Sequence, residues 1–347
     1  MLPDADAGTM RAMQLAEWGG DFEPVERPIP VPGARQVVVA VHSVGIGVTN
    51  ELARQGVLGG SLPRIGGHEL AGVVTGIGAE VRDRAIGDRV VASFYLLCGA
   101  CRWCAAGRES LCEGMGGYLG IAADGAFADA VVVDAAALVP IPDGVALGDA
   151  GIASDAIATA YHAIVARGRV QPGDRVAVIG AGGGLGVHVV QVARAAGAEV
   201  VAVEIDARRA DAVEAGGFAD LVVRAGIPAD LAGTADVVID THGGAGSLDA
   251  ALLLLGRAGR LVVLGHVPGT SLPIDTETLL LEEQEVLGTR YASRAEIAAT
   301  LELVRRGAVR PVIDRSYPLA QVNEALADAV AGRHLGRLRI DVAEGER

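Results

Sequence analysis

Between residues 173 and 204 the chain runs strand, glycine loop, helix, strand, and that order leaves few folds open. Arg175 to Ile179 is an apolar run, Gly180-Ala-Gly-Gly183-Gly-Leu-Gly186 follows it, Gly186 to Ala196 carries helical spacing, and Glu199 to Val203 is apolar again. Glycine has a physical reason to be there: the backbone turns tightly and approaches a pyrophosphate, whose charge rests on the helix N-terminus. Twenty-one residues after Gly183, at the end of the next strand, stands Glu204. A carboxylate at that place accepts hydrogen bonds from the adenosine ribose hydroxyls and repels a 2′-phosphate. The expected cofactor set is Gly180, Gly182, Gly183, Gly184, Leu185, Gly186, Glu204 and Arg209, with NAD favoured over NADP. Arg208 and Arg209 are the counterweight, since either reaches a phosphate if the loop turns inward. A competing use of Glu204 is to cap a helix that begins near Ala207.

The alternation continues through Asp236 to Ile239 and Arg260 to Leu264, which predicts a doubly wound parallel sheet. Before residue 150 the texture differs. Val37 to Val41, Leu70 to Val74, Arg89 to Ala92 and Ala130 to Val133 are short apolar runs broken by glycine and proline, the pattern of a compact β domain. After Tyr291 come an amphipathic helix, Ala295 to Arg306, an extended piece from Pro311 to Tyr317, and a final strand, Leu338 to Val342. The expected class is α/β, with a β-rich domain over 1–152, a dinucleotide-binding domain over 153–290 and a return segment over 291–347 that completes the first.

All four cysteines, Cys98, Cys101, Cys104 and Cys112, fall within fifteen residues as C-x2-C-x2-C-x7-C. Four thiolates so spaced converge on one Zn²⁺ and leave it no open position, which marks a structural ion. The acidic, polar opening stretch, Met1 to Thr9, carries no secretory signal, so reduced thiols and a cytoplasmic location are expected. A net charge of −14 disfavours nucleic acid and anionic membranes as partners, and runs such as Ala250 to Leu255 are too short to span a bilayer. All 29 basic residues are arginine. Without an ε-amine, Schiff-base chemistry, pyridoxal phosphate attachment and a P-loop lysine are excluded.

With Gly67-His68-Glu69 and Gly72, Gly87-Asp88-Arg89-Val90, the cysteine cluster, Gly180 to Gly186, Asn323-Glu-Ala and Gly336-Arg337, nearly the whole chain resembles the zinc alcohol dehydrogenase branch of the medium-chain dehydrogenase/reductase superfamily. The resemblance implies a GroES-like first domain and a Rossmann second domain. It also implies a catalytic zinc whose first ligand is a cysteine in a Gly-Val/Ile-Cys-x-Thr/Ser-Asp string. Here that string is Gly45-Ile46-Gly47-Val48-Thr49-Asn50, so the ligand position holds Gly47 and the orienting aspartate is Asn50. Leu52 stands where many members carry a proton-relay histidine. The residues left to hold a catalytic zinc are His68, Glu69 and Asp155, a weak set without its thiolate.

Zinc in such enzymes polarises a carbonyl, and a conjugated enone or enoyl thioester spreads the developing charge into its own carbonyl instead. The expected activity is therefore NAD(P)-dependent hydride transfer to a conjugated carbonyl compound without a conventional catalytic zinc. Thr49, His68 and Asp155 are the catalytic candidates, and Thr159 is expected beside the nicotinamide. Two alternatives are an alcohol or aldehyde dehydrogenase with an unusual His/Asp/Glu zinc, and an NAD-binding sensor without chemistry. Tyr95 and Tyr118 are read as core or cleft residues, and a homodimer or homotetramer is expected, with an exposed edge strand near Arg260 to Leu264 as the seam.

Overall fold

The computed structural model describes residues 8–343, so most of the opening stretch used to judge secretion lies outside the described residues. Six parallel strands make one sheet in the spatial order Leu221–Val223, Glu199–Val203, Arg175–Ile179, Ala235–Asp240, Leu255–Val263, Glu285–Gly288. Numbered by sequence, that order is 3-2-1-4-5-6, the doubly wound arrangement whose crevice opens where the order reverses. The middles of the central strands, Val176 to Ile179, Val200 to Val203 and Val237 to Ile239, are apolar and buried because helices cover both faces. The helix Gly186–Ala195 is buried along nearly its whole length, which is why its first eight residues bear no charge.

The second body is a seven-stranded sheet with the path Ile313–Pro318, Arg337–Asp341, Gln36–Ile46, Glu69–Ile77, Arg89–Ala92, Leu138–Pro140, and Ala130–Asp134 paired beside Gln36–Ile46. A three-stranded sheet of Phe22–Pro28, Thr9–Leu15 and Arg64–Ile65 packs against it. The strand Arg337–Asp341 comes from the far end of the chain and pairs antiparallel with Ile46 back to Ser43. This one pairing sets Arg337 beside Gly47. Among the described residues no helix is long and apolar enough to cross a membrane.

One sequence expectation is corrected. The strand around Arg260 is interior, paired with Ala235–Asp240 on one side and with Glu285–Gly288 on the other. The edge is Glu285–Gly288. Its four residues, Glu-Val-Leu-Gly, are too few and too mixed to show as an apolar run.

Candidate functional site

At the carboxyl end of Arg175–Ile179 the glycine loop turns at Gly180, whose φ is +75°. A side chain on Gly186 would collide with the Gly180 carbonyl oxygen, and one on Gly182 would lie 2.6 Å from Arg209 Cβ. At Gly183 the nearest atom would be Gly180 O at 3.3 Å, so that face of the loop is open to a ligand backbone. Leu185 is the N-cap of the following helix. These features fit a pyrophosphate lying across the loop.

Glu204 is 2% exposed and already engaged: Oε2 accepts from Gly182 N at 2.9 Å, and Oε1 from Asp206 N at 3.0 Å and Arg209 Nη2 at 3.1 Å. The helix Ala207–Ala215 is capped by Asp206, which accepts from Arg209 N at 3.0 Å, so the capping alternative for Glu204 is not what forms. His188 pins the loop from behind, with Nδ1 donating to Gly184 O at 3.1 Å while Nε2 accepts from Val312 N at 3.0 Å. Burial pushes this imidazole down to about 4 from its ordinary 6.5. The unfolded chain binds the proton first, so stability should fall as pH drops from about 6.5 to about 4, by up to roughly 1.4 kcal/mol per unit from this residue. Urea midpoints across that range, against His188→Gln, measure the contribution.

The four cysteine sulfurs all lie within 4.8 Å of one another, with Cys98 to Cys112 at 3.4 Å and Cys101 to Cys104 at 3.6 Å. Those separations are too long for a disulfide and close to the ~3.8 Å edge of a tetrahedron of sulfurs at about 2.3 Å from zinc. The donor set therefore fits one structural zinc. The lobe is tied to the helix Arg294–Arg305 by Glu109, which accepts from Arg294 N at 2.9 Å and pairs with its guanidinium.

The third cluster joins both sheets. Asn50, His68, Glu69, Asp155, Thr159 and Arg337 are each less than 10% exposed. Gly47 N donates to Asn50 Oδ1 at 3.0 Å, which turns the Asn50 amide nitrogen toward His68 Nδ1, 3.4 Å away. An N–H aimed at Nδ1 makes that nitrogen the acceptor, so the ring proton sits on Nε2, which donates to Asp155 Oδ2 at 3.2 Å. Asp155 Oδ1 takes the Thr159 hydroxyl at 2.9 Å. Glu69 Oε1 accepts from Ala156 N at 2.9 Å, and its Oε2 takes Arg337 Nε at 3.2 Å and Nη2 at 3.0 Å. The same Nη2 reaches Asp155 Oδ2 at 3.2 Å.

Arg337 explains what glycine is doing at 47. A Cβ built there would lie 2.6 Å from the guanidinium carbon and 2.9 Å from Nη2, separations that real Cβ atoms do not show. A permanent monovalent cation thus fills the space of the absent ligand side chain. It also sets the two carboxyl groups apart. Burial works to raise Asp155, but the His68 hydrogen bond and the Arg337 charge outweigh it and hold it below the usual range. For Glu69, burial outweighs the same guanidinium and lifts the carboxyl.

A catalytic zinc does not fit these residues. The His68 lone pair faces Asn50 rather than Asp155, Glu69 is turned to Arg337, and position 47 offers no donor. Among the described residues the four cysteines are the one group of three or more histidine, cysteine or acidic side chains whose ligand atoms converge. His68, Glu69 and Asp155 are the residues the sequence left for such an ion. They lie together, but around a guanidinium.

Beside the cluster lie four aromatic rings, of which Phe94 and Tyr95 are buried and Tyr118 and Tyr291 half-buried. Phe94 packs edge-on to His68, with centroids 5.0 Å apart, and to Tyr291 at 4.9 Å. Tyr95 and Tyr118 complete the group at 5.0 and 5.9 Å from Phe94, and Arg290 donates to the Tyr118 hydroxyl. Sequence reasoning missed Arg337 and Tyr291, although the Gly336-Arg337 pair was visible as a motif.

A doubly wound glycine-loop fold joined to a β domain with a four-cysteine lobe defines an NAD(P)-dependent oxidoreductase of the dehydrogenase/reductase kind. Residues 33–143 match the alcohol dehydrogenase GroES-like domain and residues 184–306 the zinc-binding dehydrogenase family. The chain belongs to the zinc alcohol dehydrogenase-like branch of the medium-chain dehydrogenase/reductase superfamily. It is 30% identical to an acryloyl-coenzyme A reductase of Sulfurisphaera tokodaii over 86% of this chain and 90% of that one. Among solved structures, a cobalt- and zinc-bound thermostable alcohol dehydrogenase from Pyrobaculum aerophilum superposes with a TM-score of 0.88, at 30% identity, over 96% of this chain and 100% of that one. A zinc-binding dehydrogenase of Sinorhizobium meliloti bound to NADP gives 0.88 at 29% identity, over 96% of this chain and 100% of that one.

Proposed function

We propose that the chain reduces a conjugated carbonyl compound, an enone or an enoyl thioester, with NADH and without a catalytic metal. The observation that carries this reading is the Arg337 guanidinium standing where a metal ligand's side chain would be. A simple ketone needs an electrophile to hold its developing alkoxide, and the buried cluster offers none, because the Arg337 charge is already shared by two carboxyl groups. An enoyl thioester delocalises the charge itself and needs only a hydrogen-bond donor, for which the Thr49 hydroxyl is the candidate. The similarity to an acryloyl-coenzyme A reductase supports the same substrate class.

The bound dinucleotide would supply the hydride. Gly180, Gly182, Gly183, Gly184, Leu185 and Gly186 would hold its pyrophosphate, and Thr159, locked to Asp155, would present a buried wall to the nicotinamide. Glu204 is buried with Arg209 paired to it, so that guanidinium is not free to hold a 2′-phosphate, which supports NADH over NADPH. NADH should accordingly bind at least tenfold more tightly than NADPH, and Glu204→Gln should narrow the gap, as fluorescence titration would register. Function is tested by NADH absorbance decay with crotonyl-coenzyme A and with a saturated ketone. Turnover of the conjugated thioester alone supports the reading; turnover of the ketone at comparable kcat/KM sinks it.

A further inference from the structure

We propose that His188 is a positioning residue: it ties the glycine loop to the backbone that carries Arg337, and so sets the guanidinium between Glu69 and Asp155. The inference rests on the conjugated-carbonyl reading for its turnover measurement alone. Each link is a hydrogen bond. The His188 Nδ1–H donates to Gly184 O at 3.1 Å, and Nε2 accepts from Val312 N at 3.0 Å. Val312 O in turn accepts from Arg337 N at 2.9 Å. From there the Arg337 side chain holds Glu69 Oε2 and Asp155 Oδ2, and Asp155 holds His68 and Thr159. One imidazole thus stands between the loop that would carry the pyrophosphate and the buried cluster. Only the neutral tautomer with its proton on Nδ1 satisfies both of its neighbours.

Arg337 needs such a support because of where it falls in its strand. The antiparallel pairing with Gln36–Ile46 ends at Leu338 opposite Ile46, and on the other side the parallel pairing with Ile313–Pro318 shifts register between Ile313 and Arg315. The first residue of the strand is therefore held at its amide by Val312 O, beside an irregular stretch of ladder. Gly336, with φ +68°, brings the chain so close to Val312 that a Cβ there would collide with its carbonyl oxygen. What fixes Val312 is the helix Gly186–Ala195. His188 holds its amide, and one turn further on Gln191 donates to Arg310 O at 3.0 Å and accepts from Arg310 N at 2.8 Å. His188 is fully buried in a helix whose other buried positions are mostly valine, so the two hydrogen bonds are what an imidazole adds to the packing there. A second tie, from Gly336 N to Gly182 O at 3.2 Å, keeps the two segments together when His188 is changed, so its variants report on register rather than on folding.

The test is His188→Asn against His188→Gln. Asparagine places its amide where Nδ1 sits and glutamine where Nε2 sits, so the two variants cut the chain of bonds at different ends. His188→Asn keeps the Gly184 contact and loses Val312: NADH affinity by fluorescence titration should stay within about twofold of wild type while kcat for crotonyl-coenzyme A falls about tenfold or more. His188→Gln keeps Val312 and loses Gly184: kcat should stay within about twofold and NADH should bind about tenfold more weakly. A residue that only fills space would show no such division, and equal losses in the two variants, or full turnover in His188→Asn, overturn the inference. Urea midpoints extend the test to protein without substrate. The losses of His188→Asn and Arg337→Met should together exceed the loss in the double variant, because both substitutions break one chain of contacts. Additive losses overturn the inference. Wild-type protein that consumes no NADH with any conjugated thioester overturns the substrate reading, and the urea cycle then decides this inference by itself.

Discussion

Replacing Arg337 with methionine is expected to cost about 3–5 kcal/mol at pH 8, the largest stability loss predicted for any single side chain here. Methionine keeps much of the aliphatic stem but removes the guanidinium paired with Glu69 and Asp155, both of which are nearly sealed from water. A charge left buried without its partner carries its full desolvation penalty. The dependence on pH follows. Without the guanidinium both carboxyl groups are raised in the folded state above their unfolded values near 4, so the folded protein holds more protons. Stability of the variant should then decline as pH rises from about 4 upward, and the deficit against wild type should be smaller at pH 5 than at pH 8. Thermal unfolding at the two pH values measures it, with an expected drop on the order of 10 °C at the higher one. Equal deficits at both pH values would show that the loss is one of packing.

The second large effect is a gain of metal. Arg337→Ala combined with Gly47→Cys should raise tightly bound Co²⁺ from one ion per chain to two, with a thiolate charge-transfer band from the new site. The double substitution supplies a sulfur and clears the volume the guanidinium fills, so the introduced thiolate joins His68 and Asp155 as the three donors a catalytic site uses. Gly47→Cys alone should stay at one ion, since the new sulfur competes with Arg337 for the same space. Adding Asn50→Asp should tighten the second site about 10–100-fold, because a carboxylate there accepts from Nδ1–H and turns the Nε2 lone pair outward. Should Gly47→Cys bind a second ion with Arg337 still present, the guanidinium is not the obstacle.

These expectations show where the sequence was informative. The strands Arg175–Ile179 and Glu199–Val203 form where their apolar runs mark, because a strand covered on both faces is apolar past its exposed first residue. The cysteine cluster converges as its spacing requires, and Gly47 was recognisable as a missing ligand from its neighbours alone. Arg337 was not, because its partners stand 268 and 182 residues away and only the antiparallel pairing of Arg337–Asp341 with Ser43–Ile46 brings them together. Tyr291 escaped notice for a similar reason. A tyrosine at a loop start carries no periodic signal, and its packing on Phe94 is visible only in the fold. The Glu285–Gly288 edge strand was lost to its brevity.

The kind of positive charge that occupies the reaction centre separates a metal-free reductase from a conventional dehydrogenase. Anomalous diffraction at the zinc edge from crystals grown with zinc in excess tests this most directly. One peak per chain is predicted, amid Cys98, Cys101, Cys104 and Cys112, with the Arg337 guanidinium in density between Glu69 and Asp155. A second, fully occupied peak bound by His68 and Asp155, with Arg337 displaced, would contradict it.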